Sequence, residues 1–115
     1  MAKPCPLESA EQERLAKWLD ARGVLWCHVP NEGKRSPRYG AGLRRAGTKR
    51  GVPDVLIFAG RGVYLGAAIE LKRQHGGKVT DEQAEWLDRL DQLGWAAMVC
   101  RGADAAIEWL EGLGY

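Results

Sequence analysis

The stretch that most constrains this chain lies between residues 54 and 100, where two apolar runs flank a glycine turn and a helical pattern then leads to a third run. Asp54-Val55-Leu56-Ile57-Phe58-Ala59 reads as a strand, and Gly60-Arg61-Gly62 as a turn. Residues 64–72 read as a second strand around Ala67-Ala68-Ile69, so the two runs predict a hairpin. His75-Gly76-Gly77-Lys78 breaks the pattern. Thr80-Asp81-Glu82-Gln83 then has the form of a capping box, opening a helix with Leu87, Leu90 and Leu93 inside and Gly94 at its end. Residues 95–100 predict a further strand and residues 103–110 a last short helix. A hairpin followed by a helix and another strand gives a mixed sheet flanked by helices, because a β-α-β unit needs a crossover that covers one face.

Upstream, Ser9-Ala10-Glu11-Gln12 also has the form of a capping box, and Leu15, Trp18 and Leu19 follow at helical spacing until Gly23. This predicts a helix over 9–22. Residues 24–29 read as a short strand closed by Pro30, and the glycine-rich, basic segment 31–51 reads as a loop. The expected fold class is α/β with the order αβββαβα. A chain of 115 residues has room for one domain, 1–115, with one core, so any active site must lie on that single fold.

No apolar run approaches the roughly 20 residues needed to cross a bilayer, and Met-Ala-Lys-Pro-Cys-Pro lacks the apolar stretch of a secretion signal. The expectation is a soluble, intracellular protein with no membrane partner. Cys5, Cys27 and Cys100 are odd in number and lack paired spacing, which points to reduced thiols rather than a disulfide framework or a zinc site. Charge is distributed unevenly. Lys34, Arg35, Arg38, Arg44, Arg45, Lys49 and Arg50 fall in one window without an acid, so the rest of a chain whose net charge is +2 is net negative. Such separation suits a polyanion, whose counterions clustered Lys and Arg displace. It is equally consistent with a solvated loop kept soluble by charge.

Residues two apart in a strand share a side, so Glu70 and Lys72 project together while Leu71 points away. A carboxylate can hold a hard cation, and a neighbouring lysine can orient or deprotonate water. Asp54, opening the preceding strand, can supply a second carboxylate, and the Leu71 carbonyl a backbone oxygen. Glu-x-Lys alone is weak: Glu32-Gly33-Lys34 matches as well, but sits in a glycine-rich stretch with no apolar strand before it. Taken singly, Glu70 and Lys72 fit a surface salt pair, Asp54 a turn residue after Pro53, and Gln83 the far half of its capping box.

Read in order, Gly51-Val52-Pro53-Asp54-Val55-Leu56-Ile57-Phe58, Ala68-Ile69-Glu70-Leu71-Lys72 and Gly77-Lys78-Val79-Thr80-Asp81-Glu82-Gln83-Ala84-Glu85-Trp86 resemble the VRR-NUC family of the PD-(D/E)xK nuclease superfamily. Pro30-Asn31-Glu32-Gly33-Lys34-Arg35 and Leu93-Gly94-Trp95 leading to Val99-Cys100-Arg101-Gly102 are similar to its stand-alone, phage-associated members. The resemblance implies a restriction-endonuclease-like fold and a metal-dependent DNA endonuclease using Mg2+ or Mn2+. Asp54 and Glu70 would bind the ion, with Lys72 completing the motif. Gln83 matches a glutamine associated with the site, and Glu11 an acidic position of the first helix that adds to the metal shell, with Glu8 and Glu13 beside it. Asn31 and the basic window match a region facing nucleic acid. The stand-alone members further imply a homodimer acting on branched DNA in the manner of a Holliday-junction resolvase, in the cytoplasm of a bacterial or phage-infected cell. Two other classes fit the residues: a module that binds nucleic acid through residues 34–50 without cleaving it, and an interaction domain in which Asp54, Glu70 and Lys72 form a surface charge network.

Overall fold

A computed structural model describes residues 4–30 and 36–115. The elements run α1 Glu8–Arg22, β1 Trp26–His28, α2 Pro37–Arg45, β2 Val55–Ile57, β3 Ala67–Lys72, α3 Asp81–Gln92, β4 Ala96–Arg101 and α4 Ala103–Leu113. The order differs from the expected αβββαβα by one helix, α2, inside the segment read as a loop. Ser36 caps α2 by accepting from the Tyr39 N–H at 3.1 Å, and Pro37 occupies the first turn, where a missing N–H costs no hydrogen bond. Among the described elements α2 packs extensively on no other, and none of its residues is buried.

The four strands form one sheet in the order β1-β2-β3-β4. β1 pairs antiparallel with β2, and β2 antiparallel with β3; β4 joins β3 in parallel after the α3 crossover. The expected hairpin is present, with shorter strands and a longer connection in which Arg61 and Tyr64 close their own small turn. Every residue of β3 is buried. Ala67, Ile69 and Leu71 pack in the main core with Val55 and Ile57 of β2, Leu15 and Leu19 of α1, and Ala103, Ala106 and Leu110 of α4. By strand alternation Ala68, Glu70 and Lys72 project to the other face.

Two helix starts illustrate what capping depends on. At α3 the capping box is complete: Thr80 Oγ1 accepts from the Gln83 N–H, and Gln83 Oε1 accepts from the Thr80 N–H. At α1 the expected box does not form, because the helix begins at Glu8 with Leu7 at the cap position, leaving Ser9 inside the first turn. Burial holds Cys100 in the core and pushes its thiol up to about 12, in keeping with a protonated, inert group. No helix among the described residues is long and apolar enough to cross a membrane.

Candidate active site

The β2–β3 register pairs Val55 with Ile69, and one step further along it sets Asp54 opposite Glu70 on the same face. Three interactions fix Asp54. Its carbonyl accepts from the Val29 N–H at 2.7 Å and lies 2.9 Å from His28 Nδ1, while Asp54 Oδ2 accepts from the Leu71 N–H at 2.7 Å. The first two bonds tie the end of β1 to the start of β2, and the third ties that point to β3. Asp54, Glu70 and Lys72 are 5%, 2% and 8% exposed. They are buried polar groups, not members of a surface charge network.

Lys72 Nζ lies 3.5 Å from Glu70 Oε1, and Glu70 Oε2 is buried without a hydrogen-bond partner. Desolvation, followed by repulsion from Asp54, raises the Glu70 carboxyl to about 8; Lys72 offsets only part of this. Two buried carboxylates, one of them with a partnerless oxygen, suit a hard divalent cation, which would relieve both the repulsion and the missing contact. Among the described residues no group of three or more His, Cys, Asp or Glu has the arrangement of a metal cage. The donor set is therefore a sparse one, two acids to be completed by backbone oxygen and water, as magnesium commonly accepts.

Beside Asp54 opens a cavity of about 280 Å³ lined by Glu8, Ser9, Gln12, Glu13, His28, Pro30 and Asp54. Glu11 is not among its walls. Its fully buried carboxylate lies 3.5 Å from Arg14 Nη1 and 3.4 Å from Gln74 Nε2, against Gly102. The first-helix acids that reach the Asp54 cavity are Glu8 and Glu13. Gln83 likewise has its carboxamide oxygen committed to the Thr80 cap, and the α3 backbone there packs under Gly51. A Cβ on Gly51 would come within 2.6 Å of the Glu82 backbone, and its φ of +85° is one that glycine tolerates best, so the residue lets the chain leading to Asp54 press on α3.

Of the basic residues, Arg38, Arg44 and Arg45 lie exposed on α2, and Lys49 and Arg50 lie exposed in the turns after it. Asn31, Lys34 and Arg35 fall outside the described residues. Sequence reasoning missed His28 and Gln12, which line the cavity; neither belongs to a motif whose spacing announces it. It also missed α2, although Ser36-Pro37 is a recognisable helix start.

A mixed sheet flanked by helices, carrying two acids and a lysine at adjoining strand ends, is a fold of the nuclease type. The chain belongs to the VRR-NUC domain family, whose model matches residues 7–104. A solved structure described as a VRR_NUC domain protein covers 97% of this chain and 91% of its own, with a TM-score of 0.81 at 25% sequence identity. No curated protein matches the sequence.

Proposed function

We propose that the chain is a divalent-metal-dependent DNA endonuclease that hydrolyses phosphodiester bonds and prefers branched or junction DNA, working as a homodimer inside the cell. The observation that carries this reading is the pairing of Asp54 and Glu70 across β2 and β3, with a partnerless carboxylate oxygen on one and Lys72 Nζ beside it. A bound Mg2+ or Mn2+ would neutralise phosphate oxygens and lower the pKa of water in its shell. Asp54 and Glu70 would hold that ion, with the Leu71 carbonyl as a further ligand and a first-helix acid at the cavity, Glu8 or Glu13, adding to its shell. Lys72 would orient the attacking water and hold its proton. The arginines of α2 would meet the phosphate backbone, and a two-fold dimer would offer one site to each of two strands.

The test is cleavage of labelled duplex, flap and four-way-junction DNA in Mg2+ or Mn2+, with wild type beside Lys72→Ala. The expected result is metal-dependent cleavage, strongest on branched substrates and lost in the variant. DNA binding without cleavage in either metal would favour the non-cleaving module that α2 could equally serve.

A further inference from the structure

Two stretches of sequence to which the proposed site gives no task, His75-Gly76-Gly77-Lys78 and Val99-Cys100-Arg101-Gly102, meet beside Lys72. Lys72 and Arg101 are register partners in the parallel β3–β4 ladder, so their side chains leave the sheet on the same face. Two neighbouring cations repel, and the guanidinium is turned onto backbone instead. Arg101 Nη1 donates to the carbonyls of Arg73 at 3.2 Å and Gly76 at 2.6 Å, and Nη2 donates to that of Gly77 at 3.2 Å. These are charge-assisted bonds from a group that stays ionised at any working pH. The turn they grip has much to lose on ordering: Gly76 and Gly77 stand at φ of +85° and +71°, and glycine gives up more backbone freedom than any other residue. Its near end is tied by Arg73, whose side chain donates to the Cys5 and Pro6 carbonyls, and its far end by Arg101. That far end runs alongside the lysine. A methyl built on Gly77 would touch Lys72 Cδ at 3.8 Å, and Lys72 is a buried residue although it ends its strand.

We infer that Arg101 is a positioning residue for Lys72: by pinning the carbonyls of residues 73, 76 and 77 it keeps the glycine turn against the lysine stem and so keeps Nζ beside Glu70. This rests on the nuclease reading for the work that Lys72 does, whereas the restraint on Lys72 is a property of the folded chain and is measured as one. Lysine cannot replace arginine here, because a single ammonium does not span carbonyls that a planar fork holds together. A phosphate contact, by contrast, would accept either cation.

The experiment compares the full chain as wild type, Arg101→Lys and Arg101→Gln. Acylation of Lys72 by an N-hydroxysuccinimide ester is followed by peptide mass spectrometry against the exposed Lys49 of the same molecule. Beside it are measured Tm, the dissociation constant of duplex DNA in Ca2+ with its salt dependence, and the single-turnover cleavage rate in Mg2+ at saturating protein. In both variants the relative labelling of Lys72 should rise about 10-fold and the cleavage rate fall by at least as much, as for the loss of hydrogen bonds from a charged donor. In both variants the dissociation constant should stay within about twofold of wild type and the salt slope should not change. Unchanged labelling would overturn the proposal, as would a fall in Tm with labelling and cleavage rate unaltered at a temperature where every variant is folded. Restored affinity and cleavage in Arg101→Lys, with the salt slope of Arg101→Gln reduced by about one, would make Arg101 a phosphate contact instead. Absence of wild-type cleavage in Mg2+ or Mn2+ would bring down the nuclease reading, and the labelling ratio would still decide whether Arg101 holds Lys72 in place.

Discussion

Replacing Glu70 by glutamine keeps the shape of the side chain and removes the charge that the fold buries beside Asp54. In the wild type, desolvation and then the Asp54 charge move this carboxyl from 4.5 to about 8. The folded state therefore holds the proton more tightly than the unfolded chain does. The associated stability is complete below about pH 4.5 and is lost as the pH rises to about 8. At ~1.4 kcal/mol per pH unit the loss has an upper bound of ~5 kcal/mol, a large part of the roughly 5–15 kcal/mol that holds an ordinary domain together. Urea denaturation in the presence of a chelator, at about pH 5.5 and about pH 9, measures it. Wild type should be clearly less stable at the higher pH, and Glu70→Gln should lose most of that dependence and exceed wild type there, while cleaving no DNA. Added Mg2+ should restore wild type at high pH by binding the folded state alone. The other titrating groups contribute to both proteins, so the difference between them isolates residue 70. An equal pH dependence in the two proteins, or a variant less stable than wild type at high pH, would refute the buried repulsion.

Replacing Arg44 and Arg45 together by alanine should weaken DNA binding and reduce the slope of log K against log salt by about 2, one for each phosphate no longer neutralised; an unchanged slope would return α2 to a solvated role. Gly102→Ala should destabilise the fold by roughly 1–3 kcal/mol, read by denaturation, since φ is +90° and the new methyl would sit 2.6 Å from Glu11 Oε2. A Gly102→Ala protein as stable as wild type would show that Glu11 is free to move aside.

The hairpin, the α3 capping box and the final strand and helix were legible because each is written locally, in turn glycines, cap residues and alternating or helical apolar spacing. Glu70 and Lys72 were legible for the same reason, as charged residues interrupting an apolar strand. The convergence of Asp54 on Glu70 followed from the hairpin, although the bond from Leu71 that fixes it depends on tertiary register. The first-helix acid was harder. Glu8 and Glu11 both fall on the stripe that carries Leu15 and Leu19, and helical spacing cannot say how far each sits past the end of the sheet. The fold buries Glu11 against Gly102 and leaves Glu8 at the cavity. The helix α2 was obscured by Gly40 and Gly42, which weigh against a helix by intrinsic propensity, while the Ser36 cap and Pro37 favour one.

Because α2 leans heavily on no other described element, its length and charge can change without disturbing the residues that hold the sheet together. On the proposed reading, substrate preference and hydrolytic machinery thus sit on separable pieces of chain, and grafting a different basic segment between β1 and β2 offers a direct way to retarget the same catalytic scaffold.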